Sequence, residues 1–291
     1  MYPEAKSIQE CEYVFEYKLY YLKSIVDYKK DNRKGMKVLL CCPATWGRRL
    51  ITSALADFCC SVSIFDGDCE SKAGQNAFKD AVLKGGFDVG FMLDGRCERL
   101  YIAYDGQMLD EDMYEALYSL IVMKNYKGAK IYVPATGSNA VDTLAKKHEC
   151  SVIRTKSTPL ELMRHMAGSE RYLTEQFIFR FDAGGSVILI MDYLTGHFVK
   201  LSGLIDEIPP IAMEKVMVEM PEGKLTEIMD KIYDMPASLE AAEGVKITFD
   251  KGWVLVIPDM EKEVFTVVSE GASMEIAKEL CDVCIKKIQE K

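Results

Sequence analysis

Three short apolar runs, Met36–Cys42, Ser61–Phe65 and Phe87–Leu93, alternate with stretches of helical periodicity over about 47–59 and 74–84. This β-α-β-α-β order narrows the fold more than any other feature, because parallel neighbouring strands need a long crossover and a helix is the usual one. The third run, FDVGFML, suits a buried strand. A fourth, Leu100–Tyr104, follows the short loop Asp94–Arg99 and ends in Asp105-Gly106, so it reads as an antiparallel return closed by a tight turn. Ligands in α/β sheets gather at the carboxyl ends of parallel strands, which makes Asp94-Gly95-Arg96-Cys97-Glu98-Arg99 the first place to look for chemistry.

The flanking pattern completes an α/β domain over 1–125. Ser7-Ile8-Gln9-Glu10 has capping-box spacing, and Phe15, Leu19, Leu22 and Val26 follow Cys11 at helical intervals, predicting a helix over 8–28 that ends in the basic segment Lys29–Gly35. Asp110-Glu111-Asp112 opens a helix carrying Met113, Leu117, Leu120 and Ile121 on one face. A second α/β domain is expected over 126–208: strands Lys130–Pro134 and Ser151–Thr155, helix 138–148, a helix begun by Pro159, a strand Gln176–Phe181 and an apolar helix Gly185–Leu194. Leu201–Glu207 with Pro209-Pro210 reads as a linker. From 209 to 291 the order changes to strand 212–219, helix 222–233, strands Val245–Phe249, Trp253–Ile257 and Val264–Val268, and a last helix from Ser273. Consecutive strands with flanking helices predict a smaller α+β domain with an antiparallel sheet. The expected fold class is therefore α/β: two three-layer α/β/α domains followed by that α+β domain.

A chain of 291 residues accommodates two or three domains of about 100 to 150 residues each. Its formal net charge of −9 argues against nucleic acid or an anionic membrane as partner, since either calls for a basic footprint. No apolar run approaches the roughly 20 residues of a membrane span, and Met1–Lys6 has no signal-peptide core, so a cytoplasmic location is expected. The ten cysteines lie mostly within apolar strand or helix patterns, as Cys41, Cys42, Cys59 and Cys60 do, and read as reduced thiols. Cys281-Asp-Val-Cys284 sits in the final helical run, where a spacing of three places both sulfurs toward the core.

Each candidate site has competing readings. In the Asp94–Arg99 loop, Asp94 and Glu98 are oxygen donors of the kind magnesium takes, but Arg96 lies between them and remains protonated. The loop is thus an internal ion-paired turn, a metal site, or a phosphate site built on Arg96 and Arg99. Asp66-Gly67-Asp68-Cys69-Glu70 reads as turn chemistry beside an acidic-motif alternative. Thr45-Trp46-Gly47-Arg48-Arg49 opens a helix and offers Arg48 and Arg49 to an anion. His148, His165 and His197 are scattered and read as surface residues. Nucleophile-elbow, Walker and dinucleotide motifs are absent.

The order of parts resembles the phosphohexomutase (phosphomannomutase/phosphoglucomutase) family. FDVGFMLDGRCERLYIAYDGQMLDED is similar to that family's second-domain stretch with its magnesium loop D-G-D-x-D-R. Ala135–Arg164 resembles the third domain, and Glu243–Gly271 the start of the fourth. The resemblance implies a four-domain parent whose phosphoserine lies in a first domain, with this chain matching domains two to four. It also marks departures: Arg96 and Glu98 replace two metal-loop aspartates, Thr174–Ile178 lacks the sugar loop G-E-x-S-G-H, and Ile257–Glu263 stands where R-P-S-G-T-E-P would bind phosphate. VLVIPDMEKEVF is more similar to the mutase-like region behind the nucleotidyltransferase domain of mannose-1-phosphate guanylyltransferase-type fusion proteins. These features imply a non-catalytic mutase-like module without a cofactor, magnesium entering only if the altered loop still holds it. A sugar nucleotidyltransferase domain or chain is then the implied partner, and a phosphosugar the implied ligand. The alternative is a mutase whose first domain comes from another chain.

Overall fold

The computed structural model describes residues 8–26, 35–58, 60–68, 71–220, 223–235 and 238–289. In chain order the elements are α1 (Ile8–Ser24), β1 (Lys37–Cys41), α2 (Thr45–Leu55) with a 3₁₀ turn Ala56–Phe58, β2 (Ser61–Ile64), α3 (Lys72–Lys84), β3 (Val89–Leu93), β4 (Leu100–Tyr104), β5 (Gln107–Met108) and α4 (Glu111–Asn125). Then come β6 (Lys130–Pro134), α5 (Ala140–Lys147), β7 (Ser151–Thr155), α6 (Pro159–Met166), α7 (Arg171–Phe181), α8 (Ala183–His197) and α9 (Leu201–Ile205). The chain ends with β8 (Met213–Glu219), α10 (Leu225–Tyr233), β9 (Ser238–Glu240), β10 (Val245–Phe249), β11 (Gly252–Asp259), β12 (Val264–Gly271) and α11 (Met274–Gln289). The expected capping residue Ser7, and 27–28 of the expected helix 8–28, lie outside the described residues, as do Lys29–Lys34 of the basic segment.

These elements form two compact units, 1–125 with 168–208 and 126–167 with 209–291. Segment 168–208, grouped with 126–167 on sequence, thus makes its contacts with the first unit.

In the first unit, β1 pairs in parallel with β2 and β3, while β3, β4 and β5 run antiparallel, giving the order β2-β1-β3-β4-β5. All five residues of β3 are buried, as a central strand covered on both faces requires. Helix α3 begins at Ser71, whose hydroxyl accepts from the Gly74 N–H, and packs Phe78 and Val82 onto the sheet. Gly90 makes that approach feasible, because a Cβ there would stand 2.4 Å from Val82. Asp110 caps α4 through the Met113 N–H at 2.7 Å.

The expected strand Gln176–Phe181 is instead helix α7. Aromatic residues at 177, 179 and 181 imitate strand alternation, but the buried set Leu173, Glu175, Gln176, Ile178 and Phe179 recurs at intervals of three and four, which is helical spacing. Gln176 is polar and completely buried, which a pattern of apolar residues cannot reveal; its side-chain amide donates to the Tyr172 carbonyl at 3.1 Å. The expected linker at Leu201–Glu207 likewise contains the short helix α9, with Leu201 and Leu204 buried. Helix α8 is buried almost throughout and is capped by Asp182, which accepts from the Gly185 N–H at 3.0 Å and pairs with Lys18 at 2.7 Å.

The polar centre of this unit is an ion pair between Arg180 on α7 and Glu115 on α4. Tyr118 joins it, accepting from Arg180 at 3.1 Å, donating to Glu115 at 3.2 Å and stacking on Phe179 with centroids 5.6 Å apart. Burial pushes the Tyr118 phenol well above its ordinary range.

In the second unit, β6 and β7 form a parallel pair flanked by α5 and α6, and β8, β12, β11, β10 and β9 form an antiparallel sheet in that order. This is the small α+β domain with an antiparallel sheet. Helices α10 and α11 cover one face with Ile228, Ile232 and Ile288, together with Cys281 and Cys284. Burial pushes those two thiols up to about 11 and about 12, so the C-x-x-C spacing serves packing. On the other face Trp253, Leu255 and Val268 pack with Ala135. Glu270 joins the two segments of this unit by accepting from Ser138 Oγ, the Asn139 N–H at 2.9 Å and Trp253 Nε1 at 2.7 Å. No helix among the described residues is long and apolar enough to cross a membrane.

Removing one member of a buried pair leaves an uncompensated charge. Glu115→Ala is therefore expected to destabilise the first unit by about 3 kcal/mol, and Glu115→Leu with Arg180→Met to recover most of that loss. Urea unfolding followed by Trp46 fluorescence in a Trp253→Phe background reads both; a single-variant cost below about 1 kcal/mol would mean that the pair behaves as a solvated one.

Candidate functional site

The carboxyl ends of β2, β1 and β3 lie side by side because these strands are parallel neighbours, with Leu40 opposite Ile64 and Cys41 opposite Met92. Three loops therefore meet there. Arg48 fastens two of them: its Nε donates to the Cys42 carbonyl at 3.1 Å, and its guanidinium pairs with Asp66 at 2.9 Å. Arg49 lies over the Phe15 ring, 4.3 Å from its centroid. Two of the four candidate phosphate-binding arginines thus brace the protein itself. In the acidic segment 66–70, Cys69 and Glu70 lie outside the described residues; Gly67 and Asp68 form the turn before α3.

The Asp94–Arg99 loop is closed by its own carboxylate. Asp94 Oδ1 accepts from the Glu98 N–H at 2.8 Å and the Arg99 N–H at 3.2 Å, and the Asp94 carbonyl accepts from the Cys97 N–H at 3.1 Å. Cys97 takes a left-handed backbone, φ 57°, to complete the turn. Arg96 makes no ion pair with a described residue, so the internal salt bridge admitted by the sequence is not formed. Backbone N–H groups are nearer and better oriented toward Asp94, and Arg96 and Arg99 are left exposed to water. Glu98 is also exposed.

This arrangement does not fit a resident magnesium ion. Asp94 spends one carboxylate oxygen on two amides, Glu98 points from an exposed position, and the intervening residue carries a positive charge. Among the described residues, no cluster of three or more His, Cys, Asp or Glu side chains could hold a metal.

A pair that sequence reading did not single out stands at the centre of these loops. Cys42 Sγ and Cys97 Sγ are 3.6 Å apart in thiol–thiol contact. The hydrogen bond with Cys42, and then burial, push the Cys97 thiol well above its ordinary range. Both sulfurs lie against Gly47, where a Cβ would come within 2.6 Å of Cys97 Sγ and 3.2 Å of Cys42 Sγ. The sequence carried a usable signal only once β1 and β3 are known neighbours in register. A further feature missed from sequence is a cavity of about 460 Å³ beneath β4, lined among others by Glu98, Arg99, Asp110, Tyr114 and Arg180. Arg180 is committed there to Glu115 and Tyr118.

In the second unit, Ile257–Asp259 end β11, paired with Val264–Thr266 of β12, and Met260–Glu263 form the turn between the two strands. Asp259 Oδ1 accepts from the N–H groups of Glu261 and Lys262, both at 3.1 Å, and Oδ2 pairs with Lys262 Nζ at 3.1 Å. An acidic side chain therefore already occupies amide donors of this turn. Thr174–Ile178, the segment aligned with the sugar loop, lies inside α7, with Glu175 buried against Arg171 at 3.4 Å. His165 and His197 are exposed, stacked on Tyr132 and Tyr193, and His148 is half-buried at the end of α5.

Known proteins agree with this architecture. The chain is 27 % identical over 227 residues to a phosphoglucomutase/phosphomannomutase of Thermococcus kodakarensis, covering 73 % of this chain and 50 % of that protein. It is 23 % identical over 241 residues to a phosphoglucosamine mutase of Methanocaldococcus jannaschii, covering 75 % and 52 %. Its fold matches a phosphoglucomutase/phosphomannomutase family protein of Burkholderia thailandensis with a TM-score of 0.74 at 12 % identity, covering 95 % of this chain and 65 % of that one. It also matches an Aspergillus fumigatus N-acetylphosphoglucosamine mutase, solved with GlcNAc-6P and magnesium, with a TM-score of 0.61 at 13 % identity, covering 94 % and 65 %. No family model matches. The chain is thus phosphohexomutase-like, related in sequence and in fold to the phosphoglucomutase/phosphomannomutase family. It spans about half the length of the relatives it matches in sequence.

The closed turn at Asp259 has a pH signature. Hydrogen bonding from the Lys262 N–H, and then from its ammonium, holds the carboxyl below the usual aspartate value. Its stabilising contribution is present above the unfolded-state pKa and is lost as pH falls through the depressed folded-state value. Amide proton shifts of Glu261 and Lys262 should titrate together with a midpoint below that of an ordinary aspartate. A midpoint at or above it would show that the carboxylate does not close the turn.

Proposed function

We propose that this chain is a non-catalytic phosphohexomutase-like module of sugar-phosphate or sugar-nucleotide metabolism, acting in the cytoplasm as a structural or regulatory partner of a sugar nucleotidyltransferase domain or chain. The observation that carries the reading is the self-closure of two loops. Where the resemblance implies magnesium, Asp94 takes the amides of Glu98 and Arg99. Where it implies phosphate, Asp259 takes those of Glu261 and Lys262. Phosphoryl transfer depends on positioned cations and hydrogen-bond donors, since the protein's share of that chemistry is mostly electrostatic. The relatives' names support phosphosugars as the relevant metabolites, and the likeness of VLVIPDMEKEVF to mutase-like regions behind nucleotidyltransferase domains supports the partner.

The purified chain should not convert mannose 1-phosphate to the 6-phosphate in a coupled assay with magnesium and a bisphosphate primer. Turnover above a protein-free control, abolished by Asp94→Asn, would overturn the proposal. The same assay with a separately expressed phosphoserine domain from a mutase tests completion by a second chain; activity appearing only in that mixture would establish the alternative.

A second experiment addresses the phosphate loop alone. Ile257→Arg, Asp259→Ser, Met260→Gly, Glu261→Thr and Lys262→Glu together rebuild R-P-S-G-T-E, residue 263 being left as it is because its φ of 52° excludes proline. Phosphosugar at a hundred times its dissociation constant should stabilise that variant by about 2.7 kcal/mol and leave the original chain unshifted. An equal thermal shift in the original chain would mean that its acidic turn still accepts phosphate.

A further inference from the structure

We propose that Cys42 and Cys97 form a two-cysteine modification site that is oxidised reversibly to a disulfide by low-molecular-weight, anionic disulfides of the glutathione type. The assignment does not depend on whether the chain catalyses anything.

Three independent features carry it. The sulfurs already touch at 3.6 Å although 55 positions separate the residues, so closing the bond to about 2.05 Å needs a shift of the order of an ångström and a half. The space they share exists because residue 47 is glycine; any Cβ there would press on both sulfurs. Cys97 also occupies a left-handed position, φ 57°, where glycine or asparagine would be less strained, and that backbone carries its sulfur to Cys42. The two thiols differ in access. Cys42 is buried, whereas Cys97 is only partly covered and stands in a loop whose flanking Arg96 and Glu98 are exposed. Arg96 and Arg99, neither in an ion pair with a described residue, are exposed in the same loop and can meet the carboxylates of an anionic disulfide.

The steps balance without another reagent. The Cys97 thiolate attacks one sulfur of the small disulfide R–S–S–R; the Cys97–S–R bond forms, the R–S–S–R bond breaks, and one thiolate leaves and takes up the proton that Cys97 lost. The Cys42 thiolate then attacks Cys97 Sγ; the protein disulfide forms, the mixed disulfide breaks, and the second RSH leaves with the proton from Cys42. The protein loses two electrons and two protons, and R–S–S–R is reduced to two RSH. The product ties the loop after β3 to the end of β1, across the carboxyl edge of the sheet. Cys281 and Cys284 provide an internal comparison, being buried in the α11 core with no equivalent loop access.

The test uses the full chain incubated with oxidised glutathione, quenched with acid, denatured, alkylated with N-ethylmaleimide and mapped by mass spectrometry. Sampled before alkylation, the intact protein should be about 2 Da lighter than the reduced form, and after alkylation it should carry two fewer N-ethylmaleimide groups, with a Cys42–Cys97 crosslinked peptide that dithiothreitol removes. Cys42→Ser should trap glutathione on Cys97, and Cys97→Ser should yield neither product, each variant being checked for native circular dichroism. The wild-type chain alone is decisive should a variant misfold. Absence of the crosslink in the folded protein, a glutathione adduct on Cys97 that never resolves, or crosslinking as extensive in urea as under native conditions would each overturn the proposal.

Discussion

A backbone N–H inside a tight loop must find an acceptor, and in two loops of this protein the acceptor is an aspartate of the loop itself. The consequence is chemical as well as structural. Donors aimed at a carboxylate are the donors that would otherwise meet a phosphate oxygen, and an oxygen engaged by two amides is a poorer ligand for a hard cation. Each closure is local, needing no contact beyond its own turn. Asp94 and Asp259 can therefore hold their loops in shape with no ion or substrate, and the loops' order does not depend on occupancy.

Beneath the first of these loops the scaffold is set by different forces. Parallel pairing of β2, β1 and β3 fixes which strand ends lie together, and Arg48 joins two of the emerging loops through a carbonyl and a carboxylate. Farther in, Arg180, Glu115 and Tyr118 satisfy one another where unpaired charge would be costly. The second unit relies on Glu270, which accepts from Ser138 and Asn139 before α5 and from Trp253 on β11 and so joins the α5 segment to the antiparallel sheet. None of these contacts involves the residues in which the chain departs from mutase motifs, apart from the cavity wall that Glu98 shares with Arg180. Loop chemistry and scaffold stability are therefore largely separable, which is how one fold accommodates loops of different function.

The β-α-β-α-β order was legible because burial on both faces of β3 demands an unbroken apolar run, and the antiparallel sheet of the second unit was legible from consecutive strands with turns between them. Helix α7 was not. Its interior position Gln176 is polar and its alternate aromatics suggest a strand; only packing among neighbouring helices decides the matter. The Asp94 loop shows the same limit at a site. Its composition admitted an Arg96 bridge, but the competing acceptor relation, an aspartate with the amides four and five residues on, is a matter of backbone geometry that composition does not encode. The Cys42–Cys97 contact depends on strand register, a long-range property, and so could not be read from spacing.

The same loop thus holds two features with opposite implications. Closure by Asp94 makes it ordered and self-sufficient, while Cys97 gives it a reactive atom held beside a partner. Order is what makes the second feature usable: a flexible loop would carry its thiol to many partners, whereas a turn fixed by three backbone N–H groups presents one sulfur to one neighbour. Arg96 fits this arrangement in a way it does not fit a metal site. A guanidinium opposes a cation between Asp94 and Glu98, but left in solvent in the Cys97 loop it can attract an anionic reagent. The substitution that counts most strongly against metal chemistry in this loop is the one that suits thiol chemistry there.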